Sequence, residues 1–375
     1  MRTALRALAP AVALVLTAGA CNGQVDHGRS TASEFARLIE RLSEPGGYFD
    51  TDNLISNETS YLHVMGTLRE MDLSGGAYLG VGPGQNFSYI AQIRPSIAFI
   101  VDIRRDNLLH HLLYKALFEL SANRVEYLAM FFGRPIPDDA DQWRERSVQE
   151  LVAYIDGRPA DPGLVDAYRR RIDEHVLGFG LELSDDDRRT IRGFHDTFIR
   201  AGLGLRFSTF GRAPQPYYPT FRQLLVEEDL TGRRSNYLAS EADFLAVKAM
   251  QHRDLVVPVV GNLAGTHAVD AIGEHLRELG ERVSALYTSN VEFYVMRDGG
   301  FRRFADNVAA LPRHERSVII RSVFGGVFRT RHPQAVPGYY STQLLQTMES
   351  FVREYESGGI LSYQDLVTKH SLDLR

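Results

Sequence analysis

Cysteine is almost absent. Cys21 is the only one in 375 residues, so the chain has neither an internal disulfide nor a cysteine-built zinc site. A surplus of positive charge is missing as well. Lys and Arg total 42 against 47 Asp and Glu, a net charge of −5, which leaves no basic field to make nucleic acid the expected partner. No Ser-His-Asp constellation, Walker-type phosphate loop or histidine-metal spacing is present, so no metal is expected. What is there is ordinary globular chemistry, with 44% hydrophobic, 24% charged and 10% aromatic residues. That suffices for one large α/β domain or two smaller ones, and it excludes a disordered tail, a collagen-like fibre and a disulfide-stapled miniprotein.

The first residues separate from the rest. Arg2 and Arg6 form a short positive region, and Ala7–Ala18 is an apolar stretch of twelve residues, too short for a permanent membrane span. The following Ala18-Gly19-Ala20-Cys21 resembles the lipobox of bacterial lipoproteins. That resemblance implies a signal peptide over 1–20, acylation of Cys21, a polar tether over 21–30 and a lipid-anchored place in the cell envelope. The alternatives are a plain secretory signal with an incidental Cys, or a cytoplasmic protein whose start is assigned too far upstream.

A helix is predicted from Ser33 to Leu42, where Phe35, Leu38, Ile39 and Leu42 share one face; Pro45-Gly46-Gly47 stops it. Tyr48 to Tyr61 then mixes hydrogen-bonding side chains with Tyr48, Phe49, Leu54, Ile55 and Tyr61. Such a segment suits either a cover over a polar pocket or a capped turn into a helix over Tyr61–Glu70, with Asn57 or Thr59 as the cap.

The sharpest local pattern spans residues 77–102. Ala77-Tyr78-Leu79-Gly80 reads as a buried strand, followed by a turn with glycines at 80, 82 and 84 and a helix over Phe87–Ile93. Glycines there allow a tight turn and close backbone approach to a ligand, and the helix start directs N–H groups at it. A second strand, Ile97–Val101, ends on Asp102, which lies 22 residues after Gly80. An acid in that place can accept hydrogen bonds from both ribose hydroxyls of a nucleoside.

The dinucleotide fingerprint would put its third glycine at 85, where Gln85 stands, so a nicotinamide enzyme is disfavoured. The Gly80-x-Gly82-x-Gly84 spacing instead resembles motif I of the class I S-adenosylmethionine-dependent methyltransferases, with Asp102 matching their ribose-binding acid. That family usually has an acidic residue two positions before the first glycine; Tyr78 is there instead. Methionine recognition would then fall to other residues, such as Asn86 or the segment 57–61 with Asn57 and Tyr61. Most of the chain also resembles a little-characterised bacterial and plant branch of methyltransferase-like proteins, through Tyr48–Glu58, Leu79–Asn86, Val259–Gly265 and Ser289–Glu292. The resemblance implies the fold but no acceptor.

Helical periodicity continues over residues 107–202, with patterns at Asn107–Ser121, Asn123–Phe132, Asp141–Ile155, Leu164–Leu177 and Asp185–Arg200. This exceeds an ordinary crossover and reads as a helical insertion that covers a substrate pocket, serves oligomerisation or simply packs. Alternation resumes with a strand near Gly204–Phe210, a helix over Thr220–Glu228 and another over Glu241–Gln251. Leu255–Val260 is apolar on both faces, as in a central parallel strand, although Pro258 suggests an end or a bulge. A helix over His267–Leu279, a strand over Val283–Thr288, and in the tail a helix and a strand over Ser317–Phe328 complete the pattern.

The expected fold is therefore a Rossmann-like α/β domain over 31–375: a mostly parallel sheet, helices on both faces, and an insertion after the second strand. In such a sheet the carboxyl ends of the strands line the ligand crevice. Those ends would carry Gly80, Gly82, Gly84, Asp102, Asn262, Ser289 and Asn290. Glu292 and Glu58 are the candidate general bases, each equally explicable as a structural acceptor. Two functions follow from different classes. One is a methyltransferase using S-adenosylmethionine. The other is a non-catalytic, membrane-tethered module that binds a small molecule in the same crevice.

Overall fold

In the computed structural model, residues 32–210, 215–325 and 331–374 are described. The expected signal peptide, Cys21 and the expected tether lie outside them. Six strands build one sheet: β1 (Ala77–Gly80), β2 (Ile97–Asp102), β3 (Val256–Val260), β4 (Val283–Ser289), β5 (Arg313–Phe324) and β6 (Ser341–Thr347). Their spatial order is β3-β2-β1-β4-β5-β6. The first five run parallel, and β6 joins β5 antiparallel at the edge. The order reverses between β1 and β4, which defines the topological switch point.

The strands are apolar on both sides because helices cover both faces. One layer holds helices Asn86–Ile93, Arg105–Leu120 and Glu241–His252; the other holds Ala32–Leu42, Ala268–Leu279, Phe301–Ala310 and Met348–Glu356. The insertion after β2 is helical as expected, with helices Arg124–Phe132, Val148–Asp156, Pro162–Leu177 and Asp185–Ala201. Capping boxes at Ser147 and Ser184 start two of them. An aromatic cluster joins the insertion to the sheet layer: Phe131 lies 5.6 Å from Tyr114, and Tyr127 lies 4.7 Å from Phe118.

Several expectations need correction. The strand Val256–Val260 is an edge, not a centre; its two faces are covered by helices Ala32–Leu42 and Arg105–Leu120, which explains its apolar run. Pro258 fits there because an edge strand has one side where a missing N–H breaks no ladder bond. Residues 204–210 form no strand of the sheet; they make isolated bridges, Arg206 to Thr220 and Thr209 to Thr51. The helix expected from Tyr61 begins only at Met65, with no side-chain cap, so neither Asn57 nor Thr59 caps it. The pattern at Asp141–Ile155 splits into a 3₁₀ turn, Ala140–Glu145, and the helix Val148–Asp156.

Candidate functional site

A cavity of about 410 Å³ opens at the switch point, over the carboxyl ends of β1 to β4. Its size falls in the range of small-ligand sites. Gly82, Asp102, Asn262, Ser289 and Asn290 line it, as do Asn57 and Glu58 from the segment before β1. That segment is a strap across the cavity. Its Thr51 pairs with Thr209, and Phe210 N donates to the Asp50 carbonyl at 2.9 Å. The aromatic and polar residues of 48–58 thus serve the cover over a pocket.

The three glycines have different reasons. Gly82 sits at φ +81°, in the left-handed region that favours glycine, and lines the cavity. A Cβ on Gly80 would collide with the Asn86 amide oxygen, and one on Gly84 would sit 3.1 Å from the Tyr114 hydroxyl. Neither Gly80 nor Gly84 lines the cavity, so their small size serves packing rather than ligand approach. Asn86 is likewise a strut. Its amide donates to the carbonyls of Val81 (2.9 Å), Gly82 (3.3 Å) and Pro83 (2.7 Å), while its oxygen accepts from Tyr78 at 2.8 Å. Tyr78 therefore supports the turn from behind.

Asp102 ends β2 at the cavity wall, but its carboxylate is already engaged. Oδ1 accepts from the Arg104 backbone N (2.9 Å) and Nε (3.1 Å); Oδ2 accepts from Arg104 Nη2 (3.1 Å) and Asn53 Nδ2 (3.3 Å). A carboxylate has about four acceptor positions, and all are in use. Asn53 Nδ2 makes the longest of these four contacts. Arg104 also donates through Nη1 to the carbonyls of Thr51 (2.8 Å) and Asp52 (3.3 Å), tying the strap to the strand end.

Glu58 is the buried acid of the site. It lines the cavity, and among the described residues its carboxylate is held by hydroxyls alone: Tyr287 at 2.9 Å, Ser322 at 2.5 Å, and Ser289. Burial pushes its carboxyl above the usual range, and the three donors oppose that push. Ser289 reaches it from φ +52°, at a register irregularity between β4 and β5. Gln85, also in the wall, donates through Nε2 to the Tyr287 hydroxyl at 3.3 Å, and its buried Oε1 has no partner.

Two candidates lie elsewhere. Glu292 is 1% exposed, outside the cavity, in a two-pronged ion pair with Arg321 (2.8 and 3.1 Å). It is an anchor between the element after β4 and strand β5. Tyr61 is buried under the helical layer; its hydroxyl donates to the Leu224 carbonyl at 2.8 Å and accepts from Asn236 at 2.8 Å. Sequence reasoning missed Arg104, Asn53 and Tyr287 as parts of the site. The spacing Asp102-x-Arg104 was the one available signal. Among the described residues no three His, Cys, Asp or Glu are grouped to hold a metal ion, and no helix is long and apolar enough to cross a membrane.

No curated protein matches the chain. A model for a domain of unknown function matches residues 54–150 and 206–370, covering β1 to β6, the strap from Leu54 onward and the cavity-facing strand ends, and omitting part of the helical insertion. With well over half of its length matched, the chain belongs to that family, DUF7790.

Proposed function

We propose that this protein binds S-adenosylmethionine in the switch-point cavity and transfers its methyl group to an acceptor still to be identified. The observation that carries this reading is the convergence of four strand ends on one polar cavity, with a left-handed Gly82 at the first turn and an acid, Asp102, ending the second strand. Ile103, Leu263 and Ala264 give one part of the wall an apolar surface suited to a purine, next to Asp102 for the ribose. The bound cofactor supplies an electrophilic methyl group on a sulfonium. The chain's part is orientation: methyl transfer is an in-line displacement that depends mainly on holding donor and nucleophile together. A general base is optional in such a displacement, and Glu292 is excluded from that task by its pairing with Arg321.

A second reading draws on the filled acceptor positions of Asp102. A site whose acid is already satisfied suits a non-catalytic module that holds another small ligand, anchored to the cell envelope through lipid on Cys21. Incorporation of labelled fatty acid at Cys21 favours it, and retention in the cytoplasm favours the enzyme.

Calorimetric titration of S-adenosylmethionine and S-adenosylhomocysteine tests the first reading. Binding at micromolar affinity is expected, with loss in both Gly82→Val and Asp102→Ala variants shown to be folded by circular dichroism. No heat from folded wild-type protein would remove the methyltransferase reading and leave the tethered module.

A further inference from the structure

Three carboxylates line the cavity, and two of them have a cation of their own: Asp102 pairs with Arg104 and Asp298 with Arg297. Glu58 has none among the described residues; its partners are the hydroxyls of Tyr287, Ser289 and Ser322. Three donors leave one of a carboxylate's roughly four acceptor positions open. A buried carboxylate without a counter-charge is costly, and the cost falls when a cation arrives.

A second observation points the same way. The proton of the Tyr287 hydroxyl goes to Glu58, so the Gln85 group facing that hydroxyl is the amide N–H, and the amide oxygen is left over. That oxygen is buried with no donor among the described residues, on a residue that lines the cavity. Glu58 and the Gln85 amide, linked through one tyrosine hydroxyl, thus each keep an acceptor position without a donor, and both residues line the cavity. Tyr78 contributes nothing there, since its hydroxyl is committed to Asn86.

We infer that Glu58 and Gln85 together receive the α-ammonium group of the ligand's amino-acid moiety. The inference rests on the proposed cofactor and deepens it. A sulfonium carries no N–H and would leave the Gln85 oxygen unpaired; an ammonium has three donors and answers both groups. The function that Tyr78 cannot perform is thereby moved to the strap and to the residue after the third glycine.

The test compares S-adenosylhomocysteine with its desamino analogue, in which hydrogen replaces the amino group, by calorimetry on the full-length protein. Wild type is expected to bind S-adenosylhomocysteine about 10- to 100-fold more tightly, the range of one hydrogen bond to a charged group. Glu58→Gln should erase that preference while binding the desamino analogue as wild type does, which also certifies its fold. Should that buried variant fail to fold, Gln85→Leu reads the same preference from the other side and should reduce it. Wild-type affinity of Glu58→Gln for S-adenosylhomocysteine overturns the inference, as does absence of preference in wild type; both leave the cofactor reading standing. Binding of neither compound by wild type overturns the two together.

Discussion

His111 shows how single residues under the site are fixed. Its Nε2 lies 2.9 Å from the Gly82 carbonyl, which can only accept, so that nitrogen carries a proton, while Nδ1 is buried with no acceptor for a second one. Burial holds its pKa down to about 4, against an ordinary 6.5. His110 beside it is lowered for the same reason, with the charge of Arg104 adding to it. The unfolded chain takes up a proton near pH 6.5, whereas folded His111 waits until about pH 4. Its contribution is therefore complete above pH 6.5 and is lost as the pH falls through that window, by about 3 kcal/mol at most. Glu58 slopes the other way: its raised pKa makes the folded state lose stability as the pH rises from the ordinary carboxyl value. Urea denaturation at pH 7 and pH 5 should show a smaller drop for His111→Gln than for wild type. An equal drop would mean that His111 does not titrate as its burial requires.

At the scale of elements, the strap is the part most specific to this chain. It is fastened by Arg104 to the carbonyls of Thr51 and Asp52, by Ser208 Oγ to Asp52 at 2.6 Å, and by the contact of Phe49 with Tyr294 at 4.9 Å. Arg104→Leu removes the first of these, and hydrogen exchange over residues 48–58 should quicken about tenfold or more while β1 and β2 stay protected. Unchanged exchange would show that the other contacts suffice. Much at this scale was legible. The strand-turn-helix of 77–93 and the acid ending β2 follow from a short apolar run, glycines at a turn and a second apolar run. The strap's interleaved aromatics left a cover as one of two readings, beside a capped turn into a helix. Sheet position was not legible, because an edge strand covered on both faces has the same apolar pattern as a central one. The identity of the buried acid was not legible either. Glu292 and Glu58 look alike in sequence; only the pairing of Ser289 with Arg321 across β4 and β5 brings a guanidinium to Glu292. Likewise Gly80 and Gly84 look like ligand-facing glycines until Asn86 and Tyr114 are seen behind them.

At the scale of the whole molecule, the sheet gathers residues that lie more than two hundred positions apart, such as Glu58 with Tyr287 and Ser289, into one cavity. The helical insertion packs on the layer that backs the glycine turn, through helix Arg105–Leu120 against Pro162–Leu177 and Asp185–Ala201. The family match stops at residue 150 and resumes at 206, so the strand ends and the second part of the strap, from Leu54, belong to the shared core and much of the insertion does not. The central claim is that a nucleoside ligand occupies the switch-point cavity. A crystal structure of the protein grown with saturating S-adenosylhomocysteine tests it most directly. The account predicts the nucleoside against Asp102 with Asn53 turned away, and the amino group between Glu58 and Gln85. An empty cavity, or the ligand bound elsewhere, would contradict it.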